Sequence, residues 1–278
     1  MTFGKYKGRG LSKFATEHSA DFYAEISDAC ALADAFADAE KLGLKIAVLG
    51  GGSNVFFKHR KIKSAVLKNA LPPTITHIGG DLFEVSSSVE MAKLLQFCLK
   101  NSRESCYYLA SAPCQVGGAI AMNAGGGEKA ANYISDFIVS VKFFDGKNVV
   151  EKPKEELGFG YRTSAFSDKR CFIISAVFRF PEKIYAENPI AARINWAKQN
   201  QDLSAPNCGS LCNRYDAKIL GFVRALFAHC PARLSTKKLN WAQNRSKNPA
   251  WLGLLFFTIR ALHKVLGKKL KFEIKMFE

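Results

Sequence analysis

Apolar and polar positions alternate with two different periods along the first two thirds of the chain. In SDACALADAFADAEKL, residues 27–42, apolar side chains recur three and four apart, which predicts an amphipathic helix with Ser27 or Asp28 as its N-cap and Gly43 as its stop. Short apolar runs at Lys45–Leu49, Ala65–Lys68 and His77–Ser87 predict strands, and Met91–Asn101 returns to the helical period. Val139–Phe144 and Asn148–Glu151 flank Asp145-Gly146, a hairpin signal, and Cys171–Phe180 predicts one more strand. Pro181 and Pro189 bracket a charged stretch that reads as a boundary. Beyond it the chain is expected to be mostly helical, at 187–200, 214–227 and 249–266. The last segment puts Trp251, Leu254, Leu255, Ile259, Leu262 and Leu266 on one face, with Arg260 and Lys264 opposite. A packing helix is the expectation there, ahead of a helix lying on a membrane surface.

Composition narrows the classes. A chain of 278 residues, 48% hydrophobic, can bury one large core or two to three smaller ones. No run of about 18 apolar residues occurs, so no membrane span is expected, and the basic N-terminus lacks the apolar stretch of a signal peptide. The eight cysteines lie at 30, 98, 106, 114, 171, 208, 212 and 230 with no CxxC pair. Scattered thiols and histidines without ligand spacing (His59, His77, His229, His263) point to a reducing cytoplasm and no metal site. Cys208 and Cys212, one helical turn apart if helical, read as buried inert thiols before they read as a redox pair. The net charge is +16, and residues 181–278 hold 17 Lys and Arg against 6 Asp and Glu. That excess suits an anionic partner: a nucleotide, phosphate, nucleic acid or membrane surface. No stacking platform or nucleic-acid motif accompanies it, so no stable nucleic-acid complex is expected.

Chemistry enters with the glycines. Val48-Leu49 runs into Gly50-Gly51-Gly52-Ser53-Asn54. Consecutive N–H groups on bare backbone form a concave nest for phosphate, to which Ser53 and Asn54 add hydrogen bonds. The stretch lacks the GxGxxG and GKS/T patterns, and alone it reads as a turn. A second small-residue stretch, APCQVGGAIAMNAGGG at 112–127, makes the pair read as two sides of one dinucleotide site.

GGGSN, then PxxVGGAxxMNAG from Pro113, then Phe159-Gly160-Tyr161-Arg162-Thr163-Ser164-Ala165-Phe166, then Gly209-Ser210, then Phe272-Glu273-Ile274 follow in one order. That order and spacing resemble the UDP-N-acetylenolpyruvoylglucosamine reductase family over roughly residues 10 to 277. The resemblance implies an α+β chain: two α/β FAD-binding subdomains of the vanillyl-alcohol-oxidase type and a C-terminal α+β substrate domain. The expected bounds are 1–68, 69–182 and 183–278. It implies FAD held by Gly50, Gly51, Gly52, Ser53, Asn54, Pro113, Gly117, Gly118, Asn123, Ala124 and Gly125, non-covalently because no histidine stands in the first loop. It further implies NADPH as the reductant and an enolpyruvyl UDP-sugar as substrate, in a cytoplasmic, monomeric enzyme of peptidoglycan precursor synthesis.

By the same resemblance Arg162 holds the substrate carboxylate, Ser210 donates the proton and Glu273 assists both, with Tyr161, Asn213 and Arg214 against the substrate. The basic C-terminal third is then expected to attract the nucleotide diphosphate. The pattern departs at the serine. The family's Gly-Ser-x-Phe-Lys-Asn-Pro reads Gly209-Ser210-Leu211-Cys212-Asn213-Arg214 here, and Ala112-Pro113-Cys114 replaces Gly-Ile-Pro-Gly. A related flavoenzyme for another nucleotide sugar or unsaturated acid, and a flavin-binding protein without this turnover, therefore stay open.

Overall fold

The structure is a computed structural model that describes residues 2–127, 131–167 and 171–278. The chain divides into two units, one of Thr2, Ala24–Gly51 and Val66–Ala197, the other of Phe3–Tyr23, Gly52–Ala65 and Lys198–Glu278.

In the first unit, helix α1 (Ala29–Lys41) starts where expected: the Asp28 carboxylate accepts from the Ala31 N–H. Gly43 follows in the left-handed region that an L side chain avoids. α1 buries Leu32, Ala35, Phe36 and Ala39, the Phe36 ring meeting Phe144 edge-on, and the strands Ile46–Leu49 and Ala65–Asn69 pair. A separate five-stranded sheet is antiparallel throughout, in the order Val149–Pro153, Ile138–Phe144, Phe172–Arg179, Leu82–Ser86, Ile75–Gly79. Helices α2 (Met91–Lys100) and α3 (Val116–Ala121) contribute Met91, Leu94, Leu95, Val116 and Ile120 to one core with Val85, Val141, Ile173 and Phe178. Helix α4 (Pro189–Asn200) ends the unit.

His77–Ser87 is not one strand but the greater part of a hairpin. Gly79 and Gly80 take positive φ, and Asp81 completes the reversal between the strands at 75–79 and 82–86. The Gly-Gly-Asp signal outweighs the apolar run around it.

The second unit packs helices α5 (Ala217–Leu226) and α6 (Ala250–Val265) with Leu211, Ala232, Leu234 and the Phe14, Phe56 and Phe256 rings. Its strands Asn207–Ser210, Trp241–Asn244 and Ala232–Leu234 form an antiparallel sheet. Cys212–Arg214 pairs with Lys271–Phe272, and Lys275–Phe277 runs parallel to Val55–Phe57. The three expected helices of the C-terminal third are present as Pro189–Asn200, Ala217–Leu226 and Ala250–Val265, but the chain between them is strand and turn, because its strands are two to four residues long and too short to show a period. Cys208 and Cys212 lie on strands, not on one helical turn.

α6 packs through Leu255, Ile259 and Leu262 of the expected stripe but is rotated about its axis relative to it. Leu252, Leu255, Phe256, Ile259 and His263 are buried, while Trp251, Leu254 and Leu266 are exposed. Phe256 and His263, outside the expected stripe, fill the core in their place.

Candidate active site

In the first unit the two glycine stretches press on each other. A Cβ on Gly51 would lie 2.9 Å from the Pro113 carbonyl oxygen, and one on Gly50 3.2 Å from Gln115 Oε1. Gly51 must be glycine because backbone, not a movable side chain, occupies that space. Lys68 Nζ donates to the Gly50 carbonyl and fixes the end of the strand that precedes it. Gly117 donates its N–H to Ser87 at 2.8 Å, whereas a Cβ on Gly118 would meet nothing within 4 Å. Gly118 is therefore open backbone beside a closed junction.

The Tyr161-Arg162 motif is fastened to the end of this second stretch by three hydrogen bonds. Asn123 Nδ2 donates to the Gly160 carbonyl at 3.0 Å, Ser164 Oγ to Ala121 at 2.7 Å, and Arg162 Nη2 to Gly125 at 3.2 Å. Gly160 and Thr163 exchange both backbone hydrogen bonds, so Tyr161 and Arg162 are the central residues of a tight turn. Arg162 sits there at φ 53°, a conformation that suits glycine and costs an L side chain about 1 kcal/mol. Its guanidinium stands 6.0 Å from the Tyr161 ring centre. Asn123 is itself left-handed at φ 45° and nearly fully buried, and its Oδ1 accepts from Ser135 N–H at 3.3 Å. Its side chain thus holds the chain's own turns. Ala124 and Gly125 are half-buried: the Ala124 backbone bonds Ala119 and Ile134, and a Cβ on Gly125 would overlap the Asn132 carbonyl.

The second unit gathers the other expected residues. Gly52 has φ 67°, and a Cβ there would lie 2.5 Å from the Leu11 carbonyl oxygen. Ser53 and Asn54 make the turn into Val55–Phe57. Asn54 Nδ2 donates to the Glu273 carbonyl at 2.9 Å, and its own carbonyl accepts from Lys275 at 3.0 Å. Glu273 N–H donates in turn to the Leu211 carbonyl at 2.8 Å, one residue from Ser210. Asn54, Ser210 and Glu273, separated by more than 200 positions at the extremes, are neighbours along this backbone relay. Glu273 falls at the break between the strands Lys271–Phe272 and Lys275–Phe277.

Around Ser210 the backbone is clamped. Gly209 has φ 73°, Leu211 N–H donates to Asn240, and the Asn240 side chain bonds both N–H and carbonyl of Cys212. Burial, with the Glu273 carboxylate adding to it, pushes the Cys212 thiol up to about 12, and burial pushes Cys208 to about 11. Neither is a thiolate at neutral pH, which suits inert packing. Arg214 is exposed, while Asn213 Oδ1 is buried and has no hydrogen-bond partner among the described residues.

The sequence reading did not single out Gln115, Lys68 or Asn240. A lysine inside the apolar run AVLKN and a glutamine between Pro113 and Val116 were the available signals.

An FAD-binding domain family matches residues 20–151. Over 205 residues the chain is 33% identical to the UDP-N-acetylenolpyruvoylglucosamine reductase of Aquifex aeolicus (strain VF5), covering 72% of this chain and 67% of that protein. The chain belongs to the UDP-N-acetylenolpyruvoylglucosamine reductase family. The reductase of Fervidobacterium nodosum (strain ATCC 35602 / DSM 5306 / Rt17-B1) is 30% identical over 63% of this chain and 56% of its own length. The matched stretch thus spans two thirds of one relative and little over half of the other. The crystal structure of the Thermus caldophilus UDP-N-acetylenolpyruvylglucosamine reductase superposes with a TM-score of 0.76 at 19% identity, covering 99% of this chain and 98% of that one. The fold is therefore α+β and shared with that enzyme, and the chain is an FAD-dependent oxidoreductase of this family type.

The residues in the first unit fit the flavin nucleotide. Gly118 offers uncovered backbone, and the buried Gln115 Oε1 beside Gly50 has no partner among the described residues. Both are groups that a polar ligand would satisfy.

Proposed function

We propose that this chain uses NADPH to reduce the enolpyruvyl group of UDP-N-acetylglucosamine enolpyruvate, giving UDP-N-acetylmuramate for peptidoglycan synthesis. The observation that carries the reading is Arg162. An arginine kept at a left-handed turn position where glycine would be relaxed is a residue whose side chain is in use. Bound FAD, held non-covalently by the Gly50–Asn54 and Pro113–Gly125 stretches, supplies the two-electron relay from NADPH to the substrate. Arg162 fixes the substrate carboxylate, on which negative charge grows as hydride reaches the terminal carbon. Ser210 Oγ delivers the proton to the neighbouring carbon, and Glu273, backbone-linked to the residue after Ser210, assists that transfer. Tyr161, Asn213 and Arg214 hold the substrate, Asn213 through its unpartnered Oδ1. We assign flavin binding to 1–68 and 69–182 and substrate binding to 183–278, in a cytoplasmic monomer.

A second reading follows from the Leu211-Cys212-Asn213-Arg214 departure: the same chemistry on another nucleotide sugar or unsaturated acid. The test is product analysis. Incubation with NADPH and the enolpyruvyl UDP-sugar should yield a product two mass units heavier, UDP-N-acetylmuramate. No product from this substrate, with turnover on another unsaturated acid, would replace the first reading by the second.

A further inference from the structure

α6 is apolar on two opposite faces. The inner one packs Leu252, Leu255, Phe256 and Ile259. The outer one places Leu254, Phe257, Ala261 and Val265 three and four residues apart, with Leu254, Phe257 and Val265 49%, 69% and 80% exposed. A helix apolar all round is ordinarily buried, so an uncovered outer face of this kind marks an interaction surface.

The charge around it names the class of partner. From Ala217 to Phe272 there are twelve Lys and Arg and no Asp or Glu. At the C-terminal end of α6 a recess of about 470 Å³ is lined by Arg260, His263, Lys264, Lys268, Leu270 and Phe272. The His263 ring is held in the wall by both nitrogens, one bonded to the Ile259 carbonyl and the other to the Asp216 N–H. Lys264 and Lys268 are exposed and form no ion pair among the described residues, although the Asp216 carboxylate lies within electrostatic reach of Lys268. α5, packed on α6, adds exposed Phe222, Leu226 and Lys218.

We propose that the outer face of α6 docks on a bilayer rich in anionic phospholipid, with the Arg260–Lys264–Lys268 recess taking a headgroup phosphate. A second copy of this chain would bring like charges together. A nucleic acid would use the cations but leave Leu254, Phe257 and Val265 in water. An anionic bilayer uses both sets, the apolar side chains at the acyl boundary and the cations at the phosphates. No helix among the described residues is long and apolar enough to cross a membrane, so the attachment is peripheral.

The experiment is sedimentation of the FAD-loaded chain with phosphatidylcholine vesicles, with and without phosphatidylglycerol. The chain should sediment only with the phosphatidylglycerol vesicles, and less so as salt rises. Leu254→Ser/Phe257→Ser and Lys264→Glu/Lys268→Glu should each weaken partitioning on the order of tenfold or more, since one surface cation is worth about fivefold. Flavin content and melting temperature report that the variants, all at exposed positions, remain folded. Absence of sedimentation, equal sedimentation by the variants, release by UDP, or tighter binding of duplex RNA that the apolar variant leaves unchanged would each overturn the proposal.

Discussion

At Arg162 the structure separates what the backbone prefers from what the side chain does. Replacing it by Ala or by Gly removes the same guanidinium, yet only Gly relaxes at φ 53°. Arg162→Gly should therefore be the more stable of the two by about 1 kcal/mol, read as a melting temperature higher by roughly 2 °C, with both equally poor catalysts. Equal melting temperatures would remove the strain argument. Arg162→Lys and Ser210→Ala should both leave flavin bleaching by NADPH near the wild-type rate. Both should slow reoxidation by the enolpyruvyl substrate. Losing the two-pronged grip on a carboxylate should slow it on the order of 10²-fold, and losing the acid about 10²–10⁴-fold. Rapid-mixing absorbance separates the half-reactions, and an unimpaired Ser210→Ala would detach Gly209-Ser210 from the chemistry. The thiols give a further test. Burial raises Cys98, Cys106 and Cys212 to about 12 and Cys208 to about 11, so almost no thiolate exists at pH 8. Iodoacetamide should label exposed Cys30 first and leave those four untouched until the chain unfolds, as peptide mass mapping would show.

Among the elements, the contact of the Gly50-Gly51 turn with Pro113–Gln115 is the one most sensitive to a single methyl. A Cβ at Gly51 meets backbone at 2.9 Å, so neither side can rotate away. Gly51→Ala should destabilise the chain by roughly 1–3 kcal/mol and lower its flavin content, whereas Gly118→Ala, open on all sides, should fold normally. Flavin occupancy after purification, with a thermal melt, checks both. Here the legibility of the sequence has a physical limit. α1, α2 and the Asp145-Gly146 hairpin were readable because each carries a full period or a dedicated turn residue. The strands Asn207–Ser210, Cys212–Arg214 and Lys271–Phe272 were not, since their hydrogen bonds join positions some 30 to 60 residues apart and leave no local pattern. α6 was found as a helix but turned wrongly, because both its faces are apolar and periodicity cannot choose between them. The motif residues Arg162, Ser210 and Glu273 were named from family order. That Glu273 is tied to Leu211, and Arg162 to Gly125, is information only the fold supplies.

For the molecule as a whole the account joins an FAD-binding fold to a substrate chemistry that the family match points to and the Ser210 motif modifies. Since the Gly50–Asn54 loop holds no histidine, acid or heat denaturation should release all the flavin to the supernatant, and a yellow pellet would contradict non-covalent binding. The most direct measurement is anaerobic. The protein is bleached with one equivalent of NADPH, freed of nucleotide, and mixed with the enolpyruvyl UDP-sugar while flavin absorbance is followed. The account predicts full, rapid return of the oxidised flavin spectrum with stoichiometric UDP-N-acetylmuramate. A flavin that stays bleached until oxygen is admitted would contradict it.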